Sequence, residues 1–304
     1  MNIQYRFSGH ESFPFRYAWL PKAFRQLEAN PQLFADESCA MVDLGVGKNM
    51  VRAIRFWVQV TGVAQPTDKG FEPTTFGRRI LSDYDMYLED TRTLWLLHWN
   101  VATRVEDPLF AWDYLLNRWQ RPELCRSEVL RAFGDEAIRL ERTLSDVTLA
   151  QHFDVFLHTY VPAADSAEVH EDSLDCPLSE LRLIQAVGER QVGMGGRRET
   201  VYSFRREPKP EITHALFAFC IDDFWRKRRG NEQTLTFRDI AVAEGSLGQV
   251  FKLPEQDLRD RLELYRSPGG VFRFEESLAR QILTRGSEQE VDLLSAVYED
   301  EGAQ

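Results

Sequence analysis

The sequence predicts a mainly α-helical (α+β) protein: an N-terminal winged helix-turn-helix, a helical middle and a C-terminal winged-helix-like domain. Three observations lead there. Met41 to Gly62, MVDLGVGKNMVRAIRFWVQVTG, reads as the end of a short helix, a tight turn at Gly45 and Val46, and a longer helix from about Gly47 to Thr61. Leu81 to Trp119 is dense in Trp, Leu and Tyr, with Leu94, Leu97, Val101, Phe110, Tyr114 and Leu115 at helical spacing and a break at Asp107–Pro108. From Thr236 onward the order helix, turn, helix, hairpin returns. The expected segments are 1–80 (winged helix-turn-helix), 81–162 (helical), 163–230 (linker, basic hairpin and helix) and 231–304 (winged-helix-like).

The chain has 304 residues, of which 43% are hydrophobic and 12% aromatic, which excludes a disordered protein and allows two or three real cores. It contains no 18-residue apolar run, and MNIQYRFSGHESF lacks the apolar centre of a signal peptide, so a membrane span is excluded and a cytoplasmic protein expected. Cys39, Cys125, Cys176 and Cys220 stand far apart without CxxC spacing; they read as reduced thiols, not as zinc ligands. A net charge of −11 argues against a general nucleic-acid coat. Cations are nevertheless local: from Arg197 to Arg229 nine Lys/Arg stand against five Asp/Glu, +4, which leaves −15 for the rest.

The elements follow in order. Pro14 opens a helix with Tyr17, Leu20, Phe24 and Leu27 on one side. Before it, His10 and Glu11 lie in a Gly-containing turn, as a general base or metal ligand, or as a pair hydrogen-bonded within the turn. On the helix after Gly47, Lys48, Arg52, Arg55 and Gln59 fall in a stripe about 60° wide, opposite Met50, Val51, Ala53, Ile54, Trp57 and Val58. Such a stripe suits phosphates and base edges, and is equally the solvated face of an ordinary amphipathic helix. The turn-rich segment from Val63 to Pro73 reads as a β-wing, and Thr74 as the cap of the next helix.

If the segment after Asp83 is helical, Asp85 and Glu89 lie one turn apart on one face, with Asp90 a step round. Hard oxygens so placed suit Mg²⁺; helix N-termini also attract carboxylates without any metal. His98 reads as a core histidine. Two helices are expected between Arg121 and Val161, a loop from Pro162 to Ser173, and a helix start at Pro177 and Glu180. A Gly-rich turn at 193–196 follows, lacking the GKS/T of a phosphate loop, then a short strand from Val201 flanked by Arg197, Arg198, Arg205 and Arg206. Ile212 to Trp225 is an apolar helix whose end, Arg226 to Arg229, complements the helix dipole. In the last segment, the helix from Glu255 to Tyr265 mixes acids with Arg259 and Arg261 and is expected to pack against protein, and the acidic tail to fray.

Phe7-Ser-Gly-His-Glu-Ser-Phe with Arg16, Trp19, Leu20 and Lys22, Leu44-Gly-Val-Gly-Lys-Asn-Met-Val with Ala53, Ile54 and Trp57, Tyr87-Leu-Glu-Asp with Thr93-Leu-Trp-Leu-Leu-His-Trp, and Leu174-Asp-Cys-Pro-Leu together resemble the SspB proteins of bacterial single-strand DNA phosphorothioation systems, from about residue 5 to about residue 285. The resemblance implies a DNA nickase in anti-phage defence, working beside a cysteine desulfurase, an ATPase and a sulfur-transferring enzyme. No PD-(D/E)xK, HNH or DEDD signature is visible, which keeps open a non-catalytic DNA-binding adaptor that recruits the sulfur-transfer machinery, or a transcription regulator. The expected assignments are Lys48, Asn49, Arg52 and Arg55 on double-stranded DNA, Arg197, Arg198, Arg205 and Arg206 as further phosphate contacts, Asp85 and Glu89 on Mg²⁺, and His10 and Glu11 in catalysis.

Overall fold

The structure, a computed structural model, describes residues 4–162, 176–192, 197–267, 270–277, 280–286 and 291–299. The expected turn at 193–196, almost all of the loop placed between Pro162 and Ser173, and the last residues of the tail lie outside these. The chain is mixed α/β: many helices, with β-strands confined to small antiparallel sheets. It divides into two compact units, one of residues 1–112 and 120–205, the other of 113–119 and 206–304. The segments 1–80 and 81–162 both fall in the first, apart from 113–119.

In the first unit, α1 (Trp19–Ala29), α2 (Glu37–Leu44) and α3 (Lys48–Val60) pack together, followed by the antiparallel hairpin of β1 (Ala64–Thr67) and β2 (Gly70–Pro73). Local chemistry sets each boundary. The Asp36 carboxylate caps α2 by accepting the N–H groups of Ser38 and Cys39. Gly45 ends α2 in the left-handed region at φ 60°, where a side chain on Cβ is disfavoured. α3 buries Val51, Ala53, Ile54, Phe56, Trp57, Val58 and Val60, while Lys48, Asn49, Arg52 and Arg55 are exposed, the division its sequence predicts. Fully burying Trp57, Ile54 and Val58 stabilises the unit by roughly 2 kcal/mol per side chain.

Thr74 caps α4 (Thr75–Arg78) by accepting the Gly77 N–H, and a Cβ on Gly77 would lie 2.1 Å from the Val63 carbonyl oxygen. Only glycine lets α4 sit this close to the hairpin. α4 runs into a π-helical segment, Arg79–Tyr84. α5 (Thr91–Ala102) is buried almost all round and carries Trp95 and Trp99 in the core. His98 Nδ1 bonds the Tyr160 hydroxyl at 2.7 Å, and that oxygen also accepts from Trp112 Nε1, so His98 is a satisfied core histidine.

α6 (Phe110–Asp113) leads into a second π-helical segment, Tyr114–Arg118. β3 (Glu123–Cys125), α7 (Arg126–Arg139) and α8 (Asp146–Tyr160) follow, then a 3-10 turn, Pro177–Leu181. β4 (Ile184–Val192) and β5 (Arg197–Phe204) complete a three-stranded sheet in the order β3-β5-β4. β4 and β5 are the two strands of the basic hairpin, the first of which has no range legible in the sequence because β4 is polar and exposed along nearly its whole length; β3, three residues long, was not expected.

The second unit contains α9 (His214–Arg228), capped by Thr213 and ending in Arg226, Lys227 and Arg228. β6 (Thr234–Thr236) leads to α10 (Phe237–Val242), whose start is a full capping box between Thr236 and Asp239. α11 (Leu247–Val250), α12 (Glu255–Glu263), β7 (Phe272–Ser277) and β8 (Arg280–Arg285) follow, with sheet order β6-β8-β7. On α12, Arg261 pairs with Asp257 and Arg259 with Glu255 and Glu276. The tail, expected to fray, forms α13 (Leu293–Glu299), which packs on α9 through Leu294 and Val297. Two apolar side chains at helical spacing outweigh its acidic composition.

Candidate nucleic-acid interface

The site is built from α3 and the loop before α1. Residues 5–7 are tied down by apolar packing, with Phe7 4.6 Å from Phe110 between ring centroids, and by the backbone bonds Arg6 N to Pro108 O and Phe110 N to Arg6 O. From there the chain turns sharply: Gly9 has φ 110°, Glu11 50° and Ser12 69°. Two consecutive non-glycine residues in the left-handed region cost about 1–3 kcal/mol each, and such conformations persist where the surroundings over-determine them. Here the surroundings are plain. A Cβ on Gly9 would lie 2.8 Å from the Phe56 ring, the Phe13 N–H closes on the His10 carbonyl at 2.8 Å, and Trp57 Nε1 donates to the Phe13 carbonyl at 2.9 Å. The loop is clamped onto α3.

His10 supplies the other clamp. It is 3% exposed, and its ring stacks on that of His152 with Nε2 3.1 Å from His152 Nδ1. The outer nitrogens of the pair face backbone donors, Ser12 N–H at His10 Nδ1 and Ala111 N–H at His152 Nε2. Burial pushes the His10 pKa down to about 4 and that of His152 well below its ordinary value. Both rings are therefore neutral near pH 7. The expectation that His10 is an accessible base is corrected on this ground: it anchors the loop from beneath and lines neither groove beside it.

Glu11, in contrast, reaches a groove of about 310 Å³ lined by Arg6, Ser8, Gly9, Glu11, Glu37, Arg52, Arg55, Phe56 and Gln59. Residues of the turn and of the α3 stripe, read separately in the sequence, meet here. The stripe is highly organised. Arg52 Nε donates to Glu37 Oε1 at 2.6 Å and Nη2 to Oε2 at 3.3 Å, and Lys48 Nζ lies 3.0 Å from Oε2. These hydrogen bonds, Arg52 first and Lys48 second, hold the Glu37 carboxyl down to about 2, so it stays ionised at any physiological pH. Arg55 lies over the Phe71 ring of β2, 5.1 Å from its centroid. Arg6 extends the cationic face: it donates to Gln59 Oε1 at 3.2 Å and lies over Phe56, while Arg104 donates to the Gln59 carbonyl at 3.1 Å. Arg6 and Ser8 also line a second, larger groove of about 540 Å³ with Asp107, Arg142 and Thr143.

Arg6, Glu37, Arg104 and His152 were not legible as site residues. They come from distant parts of the chain, His152 lying 142 positions from His10 and Glu37 15 from Arg52. Glu37 gave one faint signal, an acid in the first turn of a helix that faces a stripe of cations.

The Asp85 and Glu89 pair does not form as expected. The π-helical segment ends at Tyr84, Leu88 is left-handed at φ 61°, and α5 begins at Thr91, so no helical face joins the two carboxylates. Asp85 is 7% exposed and spends Oδ1 on the Glu89 N–H at 2.9 Å and Oδ2 on the Asp90 N–H at 3.0 Å. Asp90 caps α5 and is gripped by Arg92. These are turn-forming carboxylates. Magnesium takes one or two carboxylates with water and phosphate. Glu89 is left here as a single exposed carboxylate, and no cluster of three or more His, Cys, Asp or Glu side chains suited to a metal occurs among the described residues. The Asp85 and Glu89 set does not fit the ion.

The basic hairpin is also dispersed. Arg197 and Arg205 stand at opposite ends of β5, about 25 Å apart along an extended strand. Arg198 pairs with Glu189, Arg205 Nη2 donates to the Leu181 carbonyl, and Arg206 belongs to the second unit.

A family model described as a protein of unknown function (DUF4007) matches residues 7–298. A crystal structure of magnesium ion-bound SspB is similar with a TM-score of 0.81 and 25% identity, over 96% of this chain and 87% of that one. An SspB crystal structure without that description has a TM-score of 0.77 and 23% identity, over 96% and 85% of the two chains, a likeness of fold. No curated protein matches the chain.

Proposed function

This chain belongs to the DUF4007 family and is similar in structure to SspB, and from that premise we propose that it binds double-stranded DNA and nicks it within a phosphorothioation-based defence system. The observation that carries this reading is the shared groove: Arg52, Arg55 and Gln59 of α3 and Glu11 of the clamped loop line one surface. In a winged-helix reading, α3 is the helix that enters the major groove and the β1–β2 hairpin is the wing. Lys48, Arg52 and Arg55 then neutralise phosphates, while Asn49 and Gln59 are amides able to pair with base edges. Arg6 joins this set.

Glu11 is the carboxylate best placed to act on a phosphate held by these cations. Its backbone is fixed in a strained turn over α3, so the side chain needs little reorganisation when DNA docks. We assign it the role of taking the proton from a water that attacks the phosphorus, as the bond from phosphorus to one bridging ester oxygen breaks and that oxygen leaves as a hydroxyl with a proton from solvent. The resemblance implies magnesium, and the related SspB crystal structure is described as magnesium ion-bound. Asp85 is committed to its turn and, with Glu89, does not make a site for that ion. The other phosphorothioation proteins are the expected partners.

Incubation of purified protein with supercoiled plasmid, in Mg²⁺ and in EDTA, tests the activity. Open circles in Mg²⁺, lost in Glu11→Gln with DNA binding kept within a few fold, are the expected result. Plasmid that is bound yet stays closed throughout refutes the nickase and leaves a DNA-binding adaptor.

A further inference from the structure

We propose that Glu37 stands in for a DNA phosphate on α3 and lowers the sequence-independent affinity of this face for DNA. The inference rests on α3 being the DNA-binding face. Lys48 and Arg52 are the cations nearest the start of α3, and both are bound to one carboxylate. The geometry is that of phosphate recognition: a guanidinium makes two contacts to a pair of oxygens, and an ammonium adds a third. All three side chains are solvent-accessible, Glu37 at 37%, Arg52 at 44% and Lys48 at 57%, so an incoming phosphate can reach the same donors.

A phosphate that takes Arg52 and Lys48 must displace Glu37 or sit beside its negative charge. Every DNA sequence meets that opposition equally, because it acts on the backbone. Base contacts do not. A carboxylate inside a phosphate-binding stripe therefore subtracts from the sequence-independent part of binding and leaves the base contacts to discriminate. Such a device suits a protein whose net charge is −11 and whose cations are local.

The helix itself does not need Glu37, because the Asp36 side chain provides the cap of α2. Glu37→Gln should thus fold, which a thermal melt checks; Glu37→Asp, which keeps the charge but withdraws it by one methylene, is the second variant. The probe is a random-sequence duplex, with Kd measured over a salt series. Exposed ion pairs are weak, so releasing the two should tighten Kd by no more than about tenfold, and by at least about twofold, in Glu37→Gln. The salt slope should steepen, because the carboxylate no longer offsets the charge that Lys48 and Arg52 present to phosphates. Glu37→Asp should fall between Glu37→Gln and wild type. The control is Glu28→Gln, which breaks a comparably exposed pair with Arg78 and removes the same charge.

Tightening in Glu37→Gln but not in Glu28→Gln supports the assignment. Equal tightening in both means that net charge alone is at work, and overturns it. An unchanged Glu37→Gln beside a weakened Arg52→Ala also overturns it while leaving the DNA face intact. An unchanged Arg52→Ala removes the DNA face itself, and the role of Glu37 with it.

Discussion

Acid should unfold this protein through the buried imidazole pair, and His10→Gln should blunt the effect. His10 is 3% exposed and its pKa lies near 4 instead of 6.5, chiefly because burial strips water from the charged form. In the unfolded chain His10 takes up a proton below about pH 6.5, whereas the folded chain resists until about pH 4. Between those values the unfolded state binds more protons, so stability falls as pH falls. The gap is worth ~3.4 kcal/mol once both states are protonated, and ~2 kcal/mol at about pH 5. Gln keeps an amide where Nε2 meets His152 but cannot titrate. Urea unfolding at about pH 8 and about pH 5, followed by circular dichroism, should show wild type losing ~2 kcal/mol more than His10→Gln between the two conditions. His152 adds to the acid sensitivity that remains, since its pKa also lies well below normal. Equal losses in the two proteins would refute the claim that His10 is neutral and sealed under the loop.

Two further outcomes follow from the same structure. Gly9→Ala places a Cβ 2.8 Å from the Phe56 ring at φ 110°, so it should cost about 2–4 kcal/mol in denaturant unfolding and displace Glu11 enough to reduce nicking. Lys252 is 2% exposed, donates to the Leu116 carbonyl, and has a pKa lowered from 10.5 to about 7 by burial and then by Arg206. The unfolded chain therefore binds the extra proton between about pH 7 and pH 10, stability should rise with pH there, and Lys252→Met should flatten that rise in a pH series of melts.

Much of α3 was legible because one helix carries the whole signal. Its period divides Lys48, Arg52 and Arg55 from Val51, Ile54 and Trp57, and Gly45 marks the turn before it. Thr74 and Thr236 start helices through chemistry that is local, and local chemistry survives folding. The Asp85 and Glu89 reading failed because a spacing of four suggests one face only within a helix. Asp85 stops helix formation there by binding the N–H groups of Glu89 and Asp90. The His10 and His152 pair, and the Glu37 grip on Arg52, depend on tertiary contacts that no single-sequence period encodes. The acidic tail misled for the opposite reason: its charge was plain, while the burial of Val297 against α9 was not.

The central claim is that the exposed face of α3 meets DNA phosphates. Its most direct test is the salt dependence of duplex binding by wild type and by Arg52→Ala/Arg55→Ala, each checked for an intact fold. The double variant should bind more weakly at every salt concentration, with the slope of log Kd against log salt reduced by about two, one for each lost phosphate contact. A folded double variant with the wild-type slope and affinity would place the DNA elsewhere.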